Sequence, residues 1–123
     1  MDMEQVRELC LSMHEKVEEC SPFADIGYPD DCFRIGGKIF AYIWLNGRRT
    51  VVLKCDPDHA IDLRDQYPDV VEPAWHWNKK YWNQVHYEFL PESVMRDFVQ
   101  HSFDEVVVGL PKKVKAELWP DRP

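Results

Sequence analysis

Apolar residues recur at helical spacing near both ends of the chain. From Met3 to Cys20 an apolar residue stands at every third or fourth position, which predicts an amphipathic helix that ends before Ser21-Pro22. The same spacing after Pro91 predicts a long helix capped by Gly109. A short final helix is predicted over Lys112–Leu118.

Between these helices, apolar and polar residues alternate as they do in half-buried strands. The pattern predicts three antiparallel strands, Cys32–Ile35, Lys38–Leu45 and Thr50–Cys55. Gly36-Gly37 and Asn46-Gly47 separate them and supply the positive φ angles that tight hairpin turns need. The middle of the chain is therefore predicted to be a three-stranded meander.

The two faces of this meander differ in character. One face is aliphatic and is the expected bed for helices, with Phe33, Ile35, Ile39, Ala41, Ile43, Leu45, Val51, Leu53 and, at its end, Cys55. The other face is basic and aromatic, with Arg34, Lys38, Phe40, Tyr42, Trp44, Val52 and Lys54. Such a face suits a binding platform, and a second layer that covers the sheet explains the rings equally well.

A short helix and a second hairpin are predicted after the meander. Asp56 is a capping residue, Pro57 fits the first helical position, and Tyr67-Pro68 ends the helix. Val70–Trp77 and Trp82–Phe89 then alternate as two strands. The predicted fold is α+β: one domain over residues 1–123, with an antiparallel sheet of about five strands and helices packed mainly on one face.

Charge is distributed unevenly along a chain whose net charge is −7. Residues 1–31 carry nine acids and two bases, whereas residues 32–55 carry five bases and no acid. Residues 73–87 add two further lysines without an acid. The overall acidity argues against indiscriminate binding to polyanions, but the two basic segments can still meet phosphate locally.

Several functional classes find no support in the sequence. No apolar run approaches the length of a membrane span and the first residues do not resemble a signal peptide, so a cytoplasmic protein is expected. The four cysteines have no zinc-like spacing and are expected to be buried thiols, although His14 follows Cys10 by one helical turn. Without a phosphate loop or nucleophile motif, we expect no enzyme, no cofactor and no metal site.

The stretch from Trp75 to Asn83 is the most distinctive in the chain. It contains four aromatic rings, two lysines, two asparagines and a histidine, and no acid. Rings interleaved with cations stack on bases and neutralise phosphates, but they also cap small hydrophobic cores. Likewise Asn78 and Asn83 either read a ligand or fix a tight turn. His76, His86 and His101 are candidate acid–base groups only through their residue type, and satisfied hydrogen-bonding roles are favoured for them.

Four pieces of the chain, in order and at compatible spacing, resemble the YjbR/MmcQ family of small bacterial domains. They are Phe33–Lys38, Leu53–Pro57, His76–Lys79 with Trp82-Asn83, and His101–Asp104 with Gly109–Lys113. Trp77 and Tyr81 depart from the family pattern, which is more often aliphatic and histidine at these positions. The resemblance implies a "double wing" α+β fold whose members are commonly named DNA-binding because of its shape.

Three functional hypotheses follow from these observations. The first is a nucleic-acid-binding module, with candidate residues Arg34, Lys38, Arg48, Arg49, Lys54, His76, Asn78, Lys79, Lys80, Trp82 and Asn83, and with Trp44 as a further ring for stacking. The second is a protein-interaction or chaperone-like adaptor that uses the aromatic face of the sheet. The third is a small-molecule binder or enzyme with a cleft near His76, Lys54 and Asn83. The position of the cations in space distinguishes them.

Overall fold

The structure is a computed structural model that describes residues 1–27, 30–45 and 48–120. Its helices are α1 (Met3–Leu11), α2 (Pro57–Gln66), α3 (Glu92–Val108) and α4 (Lys112–Leu118). Its strands are β1 (Glu18–Cys20), β2 (Asp31–Ile35), β3 (Lys38–Ile43), β4 (Thr50–Lys54), β5 (Val71–Pro73) and β6 (Trp82–His86). Short 3₁₀ turns lie at Ala24–Ile26 and Tyr87–Phe89.

All six described strands form one antiparallel sheet in the order β1-β2-β3-β4-β6-β5. The α+β class is confirmed, with one strand more than expected. The extra strand is β1, and the three-residue strands β1 and β5 form the two edges of the sheet. No helix in the described ranges is long and apolar enough to cross a membrane.

The first predicted helix is too long, because the chain leaves the helix at Ser12. The Ser12 hydroxyl donates to the Leu9 carbonyl at 2.6 Å and so ends α1, which begins with a capping box at Asp2. Residues 18–20 then pair with β2, placing Cys20 opposite Cys32. The apolar spacing of residues 13–20 fits a helix, but the open edge of β2 offers that segment backbone hydrogen bonds instead.

The meander forms as predicted, except for one irregularity in β3. Gly36 and Gly37 both have positive φ in the turn between β2 and β3, whereas the Asn46-Gly47 turn lies outside the described residues. Phe33 pairs with Ala41 and Arg34 pairs with Ile39, so Phe40 is the extra residue of a β-bulge. The bulge reverses two predicted orientations, because Phe40 packs edge-on against Phe103 on the helical side while Ile39 joins the opposite face.

The second hairpin is shorter than predicted, because residues 74–81 form an irregular connection instead of strand ends. The backbone N–H of Ala74 donates to the Trp82 carbonyl at 3.2 Å, and His76 has a φ of +68° that interrupts any extended run. This connection lies over the face of the sheet that faces away from the helices, with Trp77 and Trp82 against Tyr42 and its neighbours.

The helices cover one face of the sheet, as predicted. Asp56 caps α2 with Pro57 at its first position, Gly109 caps α3, and α3 packs along β3 and β4. The core between the two layers includes Val6, Phe33, Ile35, Phe40, Ile43, Val51, Met95 and Val99, all completely buried. Each such side chain contributes about 1.5–3 kcal/mol to the free energy of unfolding, so this layer contact holds the sheet in place.

Candidate functional site

One end of the sheet, where β2 turns into β3, carries a positively charged depression that we call the basic groove. It has a volume of about 570 Å³ and is lined by Arg34, Gly37, Lys38, Ile39, Lys54, Trp82, Val106 and Gly109. Four secondary elements meet there: the β2–β3 hairpin, the end of β4, the start of β6 and the end of α3. The groove therefore combines three predicted cations with one predicted ring.

The cations of the basic groove lack acidic partners. No described carboxylate lies within 4.0 Å of Arg34, Lys38 or Lys54, although Glu18 stands opposite Arg34 in the strand register. Among the described residues, the Nε of Arg34 is also buried without a hydrogen-bond partner. A buried guanidinium nitrogen without an acceptor is costly to the folded state.

A buried serine holds Lys54 at the groove. The β-bulge ends the direct pairing of β3 with β4 at Ala41 and Leu53, which leaves the next backbone groups apart. Ser102 of α3 bridges them, because its hydroxyl accepts from the Lys54 N–H at 2.8 Å and donates to the Phe40 carbonyl at 2.5 Å. The helix thereby fixes the backbone from which the Lys54 side chain extends.

The glycine turn also shapes the basic groove. A Cβ on Gly36 would lie 2.9 Å from side-chain atoms of both Leu110 and Val114, whereas a Cβ on Gly37 would meet nothing within 4 Å. Gly36 therefore allows the segment that joins α3 to α4 to press against the hairpin. Gly37, the second residue of the turn, lines the groove next to Lys38.

The other predicted pair of cations, Arg48 and Arg49, lies at the opposite end of the sheet. They precede Thr50, which starts β4, whereas Lys54 ends it four residues later, or about 13 Å along the strand. Arg48 lies over the Trp75 ring at 4.1 Å, and Arg49 forms an ion pair with Glu88 at 3.1 Å. The two arginines are therefore separated from the basic groove and are engaged within the protein.

The segment 78–83 contains two exposed lysines and two asparagines whose side chains form hydrogen bonds within the protein. Lys79 and Lys80 are exposed in the loop that leads into Trp82, so they extend the positive surface beside the groove. The Asn78 side chain accepts from the Lys80 N–H at 3.1 Å and holds the turn. Asn83 is buried, where it accepts from Arg64 at 2.7 Å and donates to the Ala60 carbonyl at 3.3 Å, and so ties β6 to α2.

A second depression, which we call the aromatic groove, lies near Arg48 on the face of the sheet that faces away from the helices. Its volume is about 480 Å³ and it is lined by Phe23, Ile26, Tyr42, Trp44, Arg48, Trp75, His76 and Trp77. Tyr42 and Trp44 are buried under neighbouring rings, so the second-layer interpretation holds for the middle of this face. Phe23, at the rim of this groove, contacts Tyr42 but remains 45% exposed.

The structure brings together two of the three residues of the third hypothesis. Lys54 and Asn83 both line a small cavity of about 20 Å³, whereas His76 lies apart from them in the aromatic groove. His86 has the satisfied role that was favoured for it, because its Nε2 lies 2.9 Å from the Glu72 carboxylate.

Sequence reasoning missed one cluster, formed by Cys55, His59 and His101. The Cys55 thiol, the His59 ring and the His101 ring each place a potential metal-ligating atom within 4.8 Å of the others. Burial raises the pKa of the Cys55 thiol to about 12, with the charges of Asp56 and Glu105 adding to the effect. The spacing of four between Cys55 and His59 was a readable signal, but the third residue comes from a distant helix.

Comparison with known proteins places the chain in a defined group. A family model described as YjbR matches residues 11–105. The uncharacterized protein YbdF of Escherichia coli O157:H7 is 34% identical in an alignment of 118 residues that covers 89% of this chain and 96% of YbdF.

Two solved structures share the fold. The Deinococcus radiodurans protein DR2400, described with a DUF419 domain, superposes with a TM-score of 0.85 at 23% identity, covering 96% of this chain and 88% of that one. A protein from Pseudomonas syringae superposes with a TM-score of 0.71 at 22% identity, covering 85% of this chain and 98% of that one.

Proposed function

This chain belongs to the YjbR family, and we propose that it is a nucleic-acid-binding module, rather than an enzyme, that holds DNA at the basic groove. The observation that carries the proposal is the set of three cations, Arg34, Lys38 and Lys54, that line one groove without an acidic partner within 4.0 Å among the described residues.

The chemistry of the groove suits a phosphate backbone. Lysine ammonium groups neutralise phosphates as point charges, and a guanidinium binds phosphate oxygens through two parallel hydrogen bonds. Arg34 lines the groove with no described carboxylate within 4.0 Å, so its guanidinium is the group that would bind a phosphate oxygen. Trp82 supplies a half-exposed ring on which an unpaired base can stack.

The surrounding charge orients the molecule toward a polyanion. Lys79 and Lys80 lie in the loop before Trp82 and extend the positive surface at the same end of the sheet. Residues 1–31 and 56–72 carry most of the negative charge, and α1 and α2 lie on the helical side. A polyanion would therefore be attracted to the groove end and repelled by α2, which carries three aspartates against one arginine.

A second candidate function is a protein-interaction adaptor that uses the aromatic groove. The observation that favours it is the exposure of apolar side chains at the rim, where Ile26 is 70% exposed and Trp75 is 44% exposed. Exposed aromatic and aliphatic side chains beside an arginine are typical of protein contact sites. This candidate does not use the basic groove.

A salt-titrated binding assay tests the first proposal. Fluorescence anisotropy with labelled duplex DNA, single-stranded DNA and RNA should show binding at low salt, with a log–log salt slope of roughly −3.5 to −4.5 for about five engaged cations. Lys38→Glu should weaken binding to every sequence alike and reduce the slope by about 1, because it removes a phosphate contact. Lys38 is exposed, so the variant should fold normally.

Arg96→Glu is the matched control. Arg96 is an exposed residue of α3 outside both grooves, and its replacement changes the net charge by the same amount. The proposal is wrong if the wild-type protein binds no nucleic acid at low salt, if Lys38→Glu binds as wild type does, or if Arg96→Glu loses as much affinity. In the first case the adaptor hypothesis takes first place.

A further inference from the structure

Three side chains of types that bind soft metals meet beside the inner end of the basic groove. Cys55 follows β4 directly, His59 lies in the first turn of α2, and His101 projects from α3. Their ligand atoms all lie within 4.8 Å of one another, and the two imidazole rings meet edge to face with centroids 5.0 Å apart. Three separate elements thus converge on one point.

The space between these residues fits a single ion. A cavity of about 20 Å³ lies there, which is large enough for one water molecule or one metal ion. Its remaining walls are mostly apolar, with Leu53, Leu63, Val85 and Phe98 among them. Cys55 is buried whereas His59 is exposed, so the position combines a thiol away from solvent with a route of access from solvent.

Neighbouring groups contact two of the three ligand residues. The Nε2 of His101 accepts from the backbone N–H of Asp56 at 3.3 Å and lies 3.8 Å from the Glu105 carboxylate. The Asp56 side chain accepts from the backbone N–H of His59 at 3.2 Å, which fixes the start of α2. A metal-bound histidine donates its other ring N–H to a carboxylate or carbonyl. When a metal binds at Nδ1, the His101 Nε2 must therefore carry the ring proton, give up the Asp56 N–H and donate to the Glu105 carboxylate.

We propose that Cys55, His59 and His101 form a binding site for a divalent zinc-type metal ion, with three protein ligands and an open fourth position. A thiolate with two imidazoles selects zinc or cobalt over magnesium or calcium, which prefer oxygen ligands. Binding replaces the thiol proton of Cys55, which is released to solvent.

The required rearrangement is small. Ligand atoms about 2.0–2.3 Å from a tetrahedral ion lie about 3.3–3.8 Å apart, so a cluster that spans up to 4.8 Å must contract by about 1 Å. Rotation of the exposed His59 ring can supply this movement, because only the His59 backbone N–H, and not its side chain, is bound to the Asp56 cap. The prediction of no metal site assumed that the chain has no closing set of ligands, and in the folded chain His101 lies close enough to Cys55 and His59 to be a third ligand.

Metal titration of tag-free protein tests the site. After equilibrium dialysis against Zn²⁺, elemental analysis should find about one zinc per chain. Titration with Co²⁺ should give a thiolate-to-cobalt charge-transfer band in the near ultraviolet, which requires sulfur in the coordination shell. His59→Gln should weaken zinc binding by at least about tenfold, and Cys55→Ala should abolish the charge-transfer band.

Two control variants carry the same substitutions outside the cluster. His76→Gln and Cys20→Ala should bind zinc as wild type does, since both residues lie on the other face of the sheet. His59 is exposed, so His59→Gln remains informative even if Cys55→Ala unfolds, and circular dichroism checks the fold of each variant. The proposal is overturned if wild type retains no zinc, if His59→Gln retains it equally, or if cobalt binds without a sulfur band. Any of these results would leave the cluster as a buried thiol beside two histidine rings in edge-to-face contact.

Discussion

Replacing Ser102 with alanine should destabilise the protein strongly. This one hydroxyl forms hydrogen bonds with both strands at the point where the β-bulge ends the direct pairing of β3 with β4. Ser102 is completely buried, accepts from the Lys54 N–H at 2.8 Å and donates to the Phe40 carbonyl at 2.5 Å. Alanine fits the same space but removes both bonds. A backbone donor and a backbone acceptor would then be buried without partners.

The magnitude follows from these two orphaned groups. Leaving one buried polar group unsatisfied costs about 1–3 kcal/mol. Two groups give an upper bound of about 6 kcal/mol, but Lys54 and Phe40 lie on adjacent strands and can partly approach each other. We therefore expect Ser102→Ala to lower the free energy of unfolding by about 2–4 kcal/mol, well above the usual effect of a surface substitution.

Urea unfolding followed by tryptophan fluorescence measures the effect. The midpoint should fall without a change in m, because the native state stays compact. Ser93→Ala is the matched control, since Ser93 is an exposed residue of the same helix and its replacement should change stability by less than about 0.5 kcal/mol. Equal stabilities for the two variants would show that the bridge is unimportant and would refute the reasoning.

Two further predictions concern the hairpin turn and the pH dependence of stability. Gly36→Ala should lower the free energy of unfolding, measured by urea unfolding, by about 1–3 kcal/mol more than Gly37→Ala does. Both glycines have positive φ, but only at Gly36 would the new Cβ lie 2.9 Å from two side chains. Equal losses of stability in the two variants would contradict this prediction. Burial, together with a neighbouring carboxylate, raises the pKa of Asp31 to about 7, whereas the pKa of an aspartate in an unfolded chain is about 3.9. The folded state then holds this proton more tightly, so Asp31 should make stability fall as pH rises from about 4 to 7, and Asp31→Asn should remove that fall in thermal melts recorded across this range. A pH profile identical to that of wild type would show that Asp31 is ionised normally.

Local chemistry made much of the fold predictable from sequence. Gly36-Gly37 predicts a tight turn and Asp56-Pro57 predicts the start of a helix, and the structure has a turn and a helix start at these positions. The alternation of Arg34 and Lys54 with apolar neighbours also placed both cations correctly on the face away from the main core. These features depend on one or two adjacent residues and on no distant contact.

The errors arose where distant parts of the chain decide the outcome. β1 exists because β2 has an open edge, and the apolar spacing around Val17 fits a helix equally well. The bulge at Phe40 depends on Ser102 of α3, and nothing near Phe40 in sequence signals it. For the same reason, the contact between His101 and Cys55 exists only in the folded chain and could not be predicted from sequence. The sequence also showed that Arg48 and Lys79 are both positively charged, but not that they lie at different places on the sheet.

The edges of the sheet limit how any partner can be recognised. β1 and β5 each contribute three residues, a shorter template than a peptide needs to add itself as a stable extra strand. β1 carries the acidic residues Glu18 and Glu19, and the Glu19 carboxylate accepts a hydrogen bond from Arg7 at 2.6 Å. β5 ends in Pro73, which has no backbone N–H to pair with another strand. Backbone augmentation is thus disfavoured at both margins. Recognition must be carried by side chains at the ends and faces of the sheet, so substitutions there can change the partner without remodelling the scaffold.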